Sequence, residues 1–237
     1  MSRIFPEIIC LAFLIGIYPA MISAGVITFD AADWETGDVN EASPADSNGS
    51  STNSHIDDFY YYERIPMRMI SLADSLSEGS SGRSYDSAVF SLVVASQGLS
   101  GADSMLIFGR RLSHDWSESG VSWQFYWAST DSAWSVAGGD FNSQSCTDTV
   151  LIDAAVEGLD TIYFHLDTGF VRVMIESADY GWLMMAKNLV DRGTFQVYTE
   201  DVANEAYRPT LTVYYSDGGP EERVLARRRR ESSQNRR

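Results

Sequence analysis

The sequence predicts an all-β chain, an antiparallel β-sandwich of about nine or ten strands with one short helix. From about Phe59 onward, short apolar runs alternate between inward and outward side chains with period two. Gly-, Asp- and Ser-rich breaks separate these runs, and only one stretch carries the start signal of a helix. At 237 residues, with both ends set aside, the remainder is the size of one sandwich domain.

Taken in order, residues 1–24 read as a secretory signal: Arg3 gives a weakly positive start, Ile8 to Ile17 is apolar, and Ile22-Ser23-Ala24 supplies a small residue for cleavage before Gly25. The apolar run is interrupted by Tyr18 and Pro19 and is short for a bilayer. No later segment approaches 18 apolar residues without charges, so no membrane insertion is expected once the signal is removed. An uncleaved signal anchor is the rival reading. The expected location is secreted or at the cell surface.

Residues 25–55 read as an acidic, polar leader or loop, because Asp30 to His55 has a single Trp34 and no apolar period. The sandwich is expected over 56–216. Val89, Leu92 and Val94 mark one strand, Met105 to Phe108 another, and Ile162, Phe164 and Leu166 alternate with Tyr163 and His165. Trp182 to Ala186, Phe195 to Thr199 and Leu211 to Tyr215 follow. Turns are expected at Gly79 to Gly82, Gly98 to Asp103, Gly138-Gly139-Asp140 and Asp191-Arg192-Gly193. Thr168 to Ser177 is expected to be the short helix, capped by Asp167 or Thr168. Residues 217–237 form a linker and an Arg-rich tail.

The order of motifs adds a resemblance. Arg64 to Met69 is followed by Trp116, Glu118, Val121 and Trp123, then by Trp134 with Gly138-Gly139-Asp140, Tyr180 to Lys187, and Tyr207-Arg208-Pro209-Thr210-Leu211-Thr212-Val213-Tyr214-Tyr215. In this order the chain resembles the DNRLRE-type domain family, over roughly Ile56 to Ser216. Met69 and Ile70, and Asp179 before Tyr180, depart from the family's usual residues. The resemblance implies a jelly-roll-like sandwich of secreted and surface proteins, often beside polysaccharide-degrading domains, with some members binding carbohydrate. It also implies that Trp116 and Trp123 are core.

The formal net charge is −16, and the basic tail conceals a more acidic middle, where nine basic residues face 29 acidic ones. Such a surface repels polyanions, so nucleic acid and anionic membranes are not expected partners. Two cysteines occur, and Cys10 leaves with the signal, so Cys146 has no intramolecular partner and is expected as a small residue in a loop or strand rather than as a reactive thiol. No G-x-S-x-G, H-E-x-x-H or phosphate loop is present, and His55, His114 and His165 are scattered. His114 beside Asp115 could be drawn as a base and its orienter, but neighbours on a strand point to opposite faces. No catalytic residue is assigned.

No cofactor is expected. Calcium is the metal that these oxygen-rich side chains suit, and Asp46-x-Asn48-x-Ser50 resembles a fragment of a calcium loop without its closing acidic ligand; it is read first as a solvated acidic loop. Sugar binding on β-sandwiches uses aromatic faces, and the ligand-binding candidates are Tyr60, Tyr62, Trp127 and Trp134. Arg68, Arg111 and Lys187 match basic positions of the family but have many carboxylates to neutralise, so they stay outside the candidate site. The expected function is an exported, non-catalytic domain that binds a polysaccharide. A structural or adhesive surface protein is the alternative, and a lyase or hydrolase comes third.

Overall fold

The computed structural model describes residues 23–29, 33–47, 49–58, 61–69, 83–101, 103–127, 132–176, 180–190 and 193–217. Along the chain run β1 (Ser23–Phe29), β2 (Trp34–Thr36), β3 (Val39–Asn40), β4 (Asn53–Ile56), β5 (Glu63–Met69), β6 (Arg83–Gln97), β7 (Ser104–Leu112), β8 (Phe125–Trp127), β9 (Ser132–Ala133), β10 (Phe141–Ser145), β11 (Val150–Asp153), β12 (Thr161–Leu166), helix α1 (Thr168–Glu176), β13 (Trp182–Val190), β14 (Phe195–Tyr198) and β15 (Thr210–Asp217).

One antiparallel sheet has the order β1-β15-β6-β14-β4, with β12 also paired to β6. The second has the order β10-β7-β13-β5-β2, with β11 on β7 and β3 on β5. Successive strands switch sheets, as from β5 to β6 to β7 and from β11 to β12 to β13. The two inner faces therefore close on one another as a β-sandwich.

Period two builds this core. On β12, Ile162, Phe164 and Leu166 are buried while Tyr163 and His165 face out, as the alternation predicts. On β6, Ala88, Phe90, Leu92 and Val94 point inward, and on β5 Ile65, Met67 and Met69 do the same. Trp182 lies at the centre, edge-on to Trp34, Phe90 and Phe170.

The helix forms where expected. The Asp167 carboxylate accepts the Phe170 amide at 2.9 Å, satisfying one of the orphan donors of the first turn, and Phe170, Val171 and Met174 bury against the sandwich.

Fifteen strands among the described residues exceed the nine or ten expected, and several lie where a polar leader was anticipated. Trp34 and Val39 are core residues there, and β2 and β3 pair with β5 while β4 pairs with β14. These strands are two to four residues long and turn polar side chains to solvent, so too few positions exist for a period to register. The cleavage position expected before Gly25 falls inside β1, whose partners on β15 run from Asp217 to Leu211.

Of the expected turns, Gly98 to Asp103 is closed by the Asp103 carboxylate, which accepts from the Ser100 amide at 3.0 Å. Gly79 to Gly82, Asp191-Arg192, residues 1–22 and residues 218–237 lie outside the described residues. Among the described residues, no helix is long and apolar enough to cross a membrane.

Candidate functional site

The strand β7 carries alternating side chains to two faces. Met105, Ile107 and Gly109 face the core, which sends Leu106, Phe108 and Arg110 to the outer face of the second sheet. Beside them Leu183 pairs across from both Arg110 and Pro66, and Met185 from Phe108. Residues 113–127 and 132–140 fold over one end of this outer face. They form a second apolar cluster in which Trp116, Val121, Trp123 and Trp134 cover Val39, Leu112 and Leu183. Trp116 and Trp123 are therefore core, and the Trp116 indole N–H donates to the Tyr180 carbonyl at 2.9 Å.

At the border of that cover lies a half-buried cation–aromatic platform, with Tyr62 exposed at its edge. The Tyr62 ring lies parallel to Trp123 with centroids 6.0 Å apart. The Arg64 guanidinium carbon sits 5.4 Å from the Tyr62 ring, 4.9 Å from Trp123 and 5.6 Å from Phe141. Arg110 extends the row, 5.3 Å from Phe141 and 5.4 Å from Phe108. No carboxylate among the described residues forms an ion pair with either arginine. Burial depresses the Arg64 guanidinium and Arg110 adds repulsion, while Tyr62 and Glu41 oppose the shift; an arginine stays charged throughout.

The arrangement depends on Gly138. Its φ is +86°, and a Cβ there would meet the Trp123 ring at 2.5 Å and Arg64 Nη1 at 2.8 Å. The same residue accepts from Arg64 Nη1 at 2.8 Å through its carbonyl. Gly138→Ala is expected to cost about 1–3 kcal/mol, a strain typical of a non-glycine residue held at positive φ, and to displace Arg64. A lowered thermal midpoint checks this.

The turn that follows is fixed by Asp140. Its carboxylate accepts the Ser135 and Val136 amides at 2.7 and 2.8 Å. Burial alone would raise this carboxyl, but those bonds and nearby His114 hold it below the usual range. His114 Nε2 lies 3.3 Å from Asp140, and its ring stacks on Tyr126. Asp115 instead pairs with Arg68, which also holds Glu35 at 2.6 Å. The drawn His114–Asp115 couple is thus two separate structural contacts.

Of the four aromatic candidates, Tyr62 is 46% exposed within the platform. Trp127 is 37% exposed on β8, in the small β8–β9 ribbon. Trp134 is corrected to a core residue: it is 6% exposed, and its indole N–H is spent on the Ser122 carbonyl at 2.9 Å, so it offers no free ring face. Tyr60 lies outside the described residues. Arg64, Arg110, Phe108 and Phe141 were missed. Continuing the period of two from Met105 would have turned Phe108 and Arg110 outward.

Carboxylates gather elsewhere. Oxygens of Glu118, Glu200 and Asp201 lie within 4.8 Å of one another. Burial, and then Glu200, Asp201 and Glu35, push the Glu118 carboxyl up to about 7, against Arg68. Glu200 is held by the Thr36 amide at 2.6 Å and hydroxyl at 2.5 Å. Carboxylate oxygens of this kind are the ligands a hard cation takes. The Asp46 to Ser50 stretch packs beside this group, with Gly49 against Glu118 and the Ser47 hydroxyl donating to the Ser119 carbonyl at 2.9 Å, but its Asp46 is not among the three gathered carboxylates; Asp46 is exposed and Asn48 is outside the described residues. Cys146 is buried without a disulfide.

Neither a scan against protein-family models nor a search of curated proteins finds a match to this chain. The DNRLRE-type resemblance therefore rests on the order of residues alone.

Proposed function

We propose that the chain is an exported, non-catalytic domain that holds a polysaccharide on the platform of Tyr62, Arg64, Arg110, Phe108 and Phe141. The observation that supports it is two outward guanidinium groups set among rings, with no ion-paired carboxylate among the described residues, in a chain of net charge −16. Isolated arginines in an acidic chain would be expected to find carboxylates, as Arg68 does. Here the rings offer faces for the C–H side of sugar rings, and the guanidinium forks offer donors to hydroxyl or carboxylate oxygens. A row of such groups along a sheet face suits an extended chain of sugars rather than one enclosed unit.

Tyr62 is the residue to test, because it is exposed and its removal leaves the core intact. Tyr62→Ala is expected to weaken retention in polysaccharide-containing native gels about tenfold, equivalent to losing about 1.4 kcal/mol of stacking. The gels contain alginate, pectin, xylan or cellulose, each run with calcium and with chelator. Unchanged retention of Tyr62→Ala on the polymer that retards the wild type would overturn this placement. Release of reducing ends or unsaturated sugars would overturn the non-catalytic reading.

A further inference from the structure

Adjacent arginines on β7 serve opposite faces. Arg110 belongs to the outer platform, whereas Arg111 is in register with Trp182 and turns to the inner side at the end of the sandwich. There it lines a cavity of about 500 Å³ with Asn142, Gln144, Ser145, Cys146 and Asp167. The walls are the irregular strand β10, which shifts register between Phe141 and Ser145, and the first turns of α1. The back is fixed by main chain, with the Cys146 amide donating to Gly109 at 2.9 Å and its carbonyl accepting from Asp167 at 2.9 Å.

Three features mark the cavity as built for a ligand. Arg111 lines the cavity, and no described carboxylate forms an ion pair with its side chain; its Nε, like that of Arg110, is buried behind the opening without a hydrogen bond. A cavity-lining guanidinium left without an ion-paired carboxylate, in a chain so rich in acid, keeps charge-assisted donors for a ligand's carboxylate. The side chains of Asn142, Gln144 and Ser145 lie at the same opening as donors and acceptors. Asp167 spends one oxygen on the Phe170 amide, which leaves the other as an acceptor for hydroxyl groups. Its volume lies within the range of small-molecule sites.

We infer that this cavity binds a small hydroxy-carboxylate, its carboxylate on Arg111 and its hydroxyls on Asn142, Gln144, Ser145 and Asp167. An anion without hydroxyls would leave Asp167 facing a like charge. A neutral polyol would leave Arg111 unanswered. A sugar acid, free or at a chain end, meets both requirements, and the assignment stands apart from the polysaccharide reading of the outer platform.

The test is titration of the full chain with glucuronate and, separately, with glucose, followed by thermal shift and calorimetry at low salt. Glucuronate is expected to bind at millimolar concentration and raise the thermal midpoint, as any ligand selective for the folded state does. Glucose is expected to leave it unchanged. Arg111→Gln should weaken glucuronate about tenfold or more, and Gln144→Ala, at an exposed position, should weaken it while leaving the fold untouched. Tyr62→Ala should bind glucuronate like the wild type, which separates this cavity from the platform. A glucuronate-ended oligosaccharide that binds as tightly as the free acid assigns the ligand to chain ends; one that fails to bind assigns it to the free acid. Absence of glucuronate binding, equal binding of glucose, or full binding by both Arg111→Gln and Gln144→Ala would overturn the inference.

Discussion

Trp182→Ala is expected to lower stability by about 3–5 kcal/mol, the range for emptying a large aromatic site in a core. Net stabilities of domains are about 5–15 kcal/mol, so this one change would remove a large share of the margin. The reason lies in position: Trp182 has no solvent exposure and is edge-on to Phe90 at 5.2 Å, Trp34 at 5.5 Å and Phe170 at 5.9 Å. It therefore joins both sheets and the helix, and its loss leaves a void that three rigid rings cannot fill. Trp182→Phe should cost much less, because the indole N–H makes no hydrogen bond and phenylalanine removes that buried orphan. Urea unfolding of the two variants checks the pair. Equal losses would show that the ring cluster does not hold the layers together.

Stability is expected to fall as pH rises from about 4 to about 7, the reverse of ordinary acid unfolding. Asp38 is 7% exposed, one of its oxygens makes no hydrogen bond, and burial followed by repulsion from Glu63 raises its carboxyl from 3.8 to about 7, against the amide of His55. Between those two values the folded state binds more protons than the unfolded one, so folding is favoured on the acid side and that advantage disappears above about 7. The gap corresponds to about 4 kcal/mol at most. Glu63, Glu118, Glu200 and Asp58 are raised as well and act with the same sign, while Asp140 is lowered and acts against them. Asp38→Asn should be more stable than the wild type at pH 8 and similar to it at pH 4. Denaturation at both values reads this directly, and identical pH dependence in the two proteins would contradict it.

The core strands could be read from the sequence because inward and outward residues there differ in polarity. Ile162, Phe164 and Leu166 on β12 are the clearest case, and the Asp167 cap marked the start of α1. The opening strands escaped because β2, β3 and β4 are too short to show a period, although Trp34 alone hinted that the leader entered the core. The platform was half visible. Tyr62 was named from its run of tyrosines, but its partners come from β5, β7 and β10, brought together only by sheet pairing. Trp134 shows the converse limit, since composition cannot tell a ring that faces a ligand from one that donates to Ser122 inside a cover. Arg111 was set aside because carboxylates are plentiful. Register turns it into a cavity where no described carboxylate forms an ion pair with it.

The central claim is that the outward face of Tyr62, Arg64 and Arg110 holds a polysaccharide. Affinity electrophoresis of the wild type beside Tyr62→Ala, in gels of alginate, pectin, xylan and cellulose, tests it most directly. The account predicts that at least one polymer retards the wild type and that Tyr62→Ala migrates nearly as in a polymer-free gel. Free migration of the wild type in every gel would contradict the claim and favour a structural or adhesive surface protein.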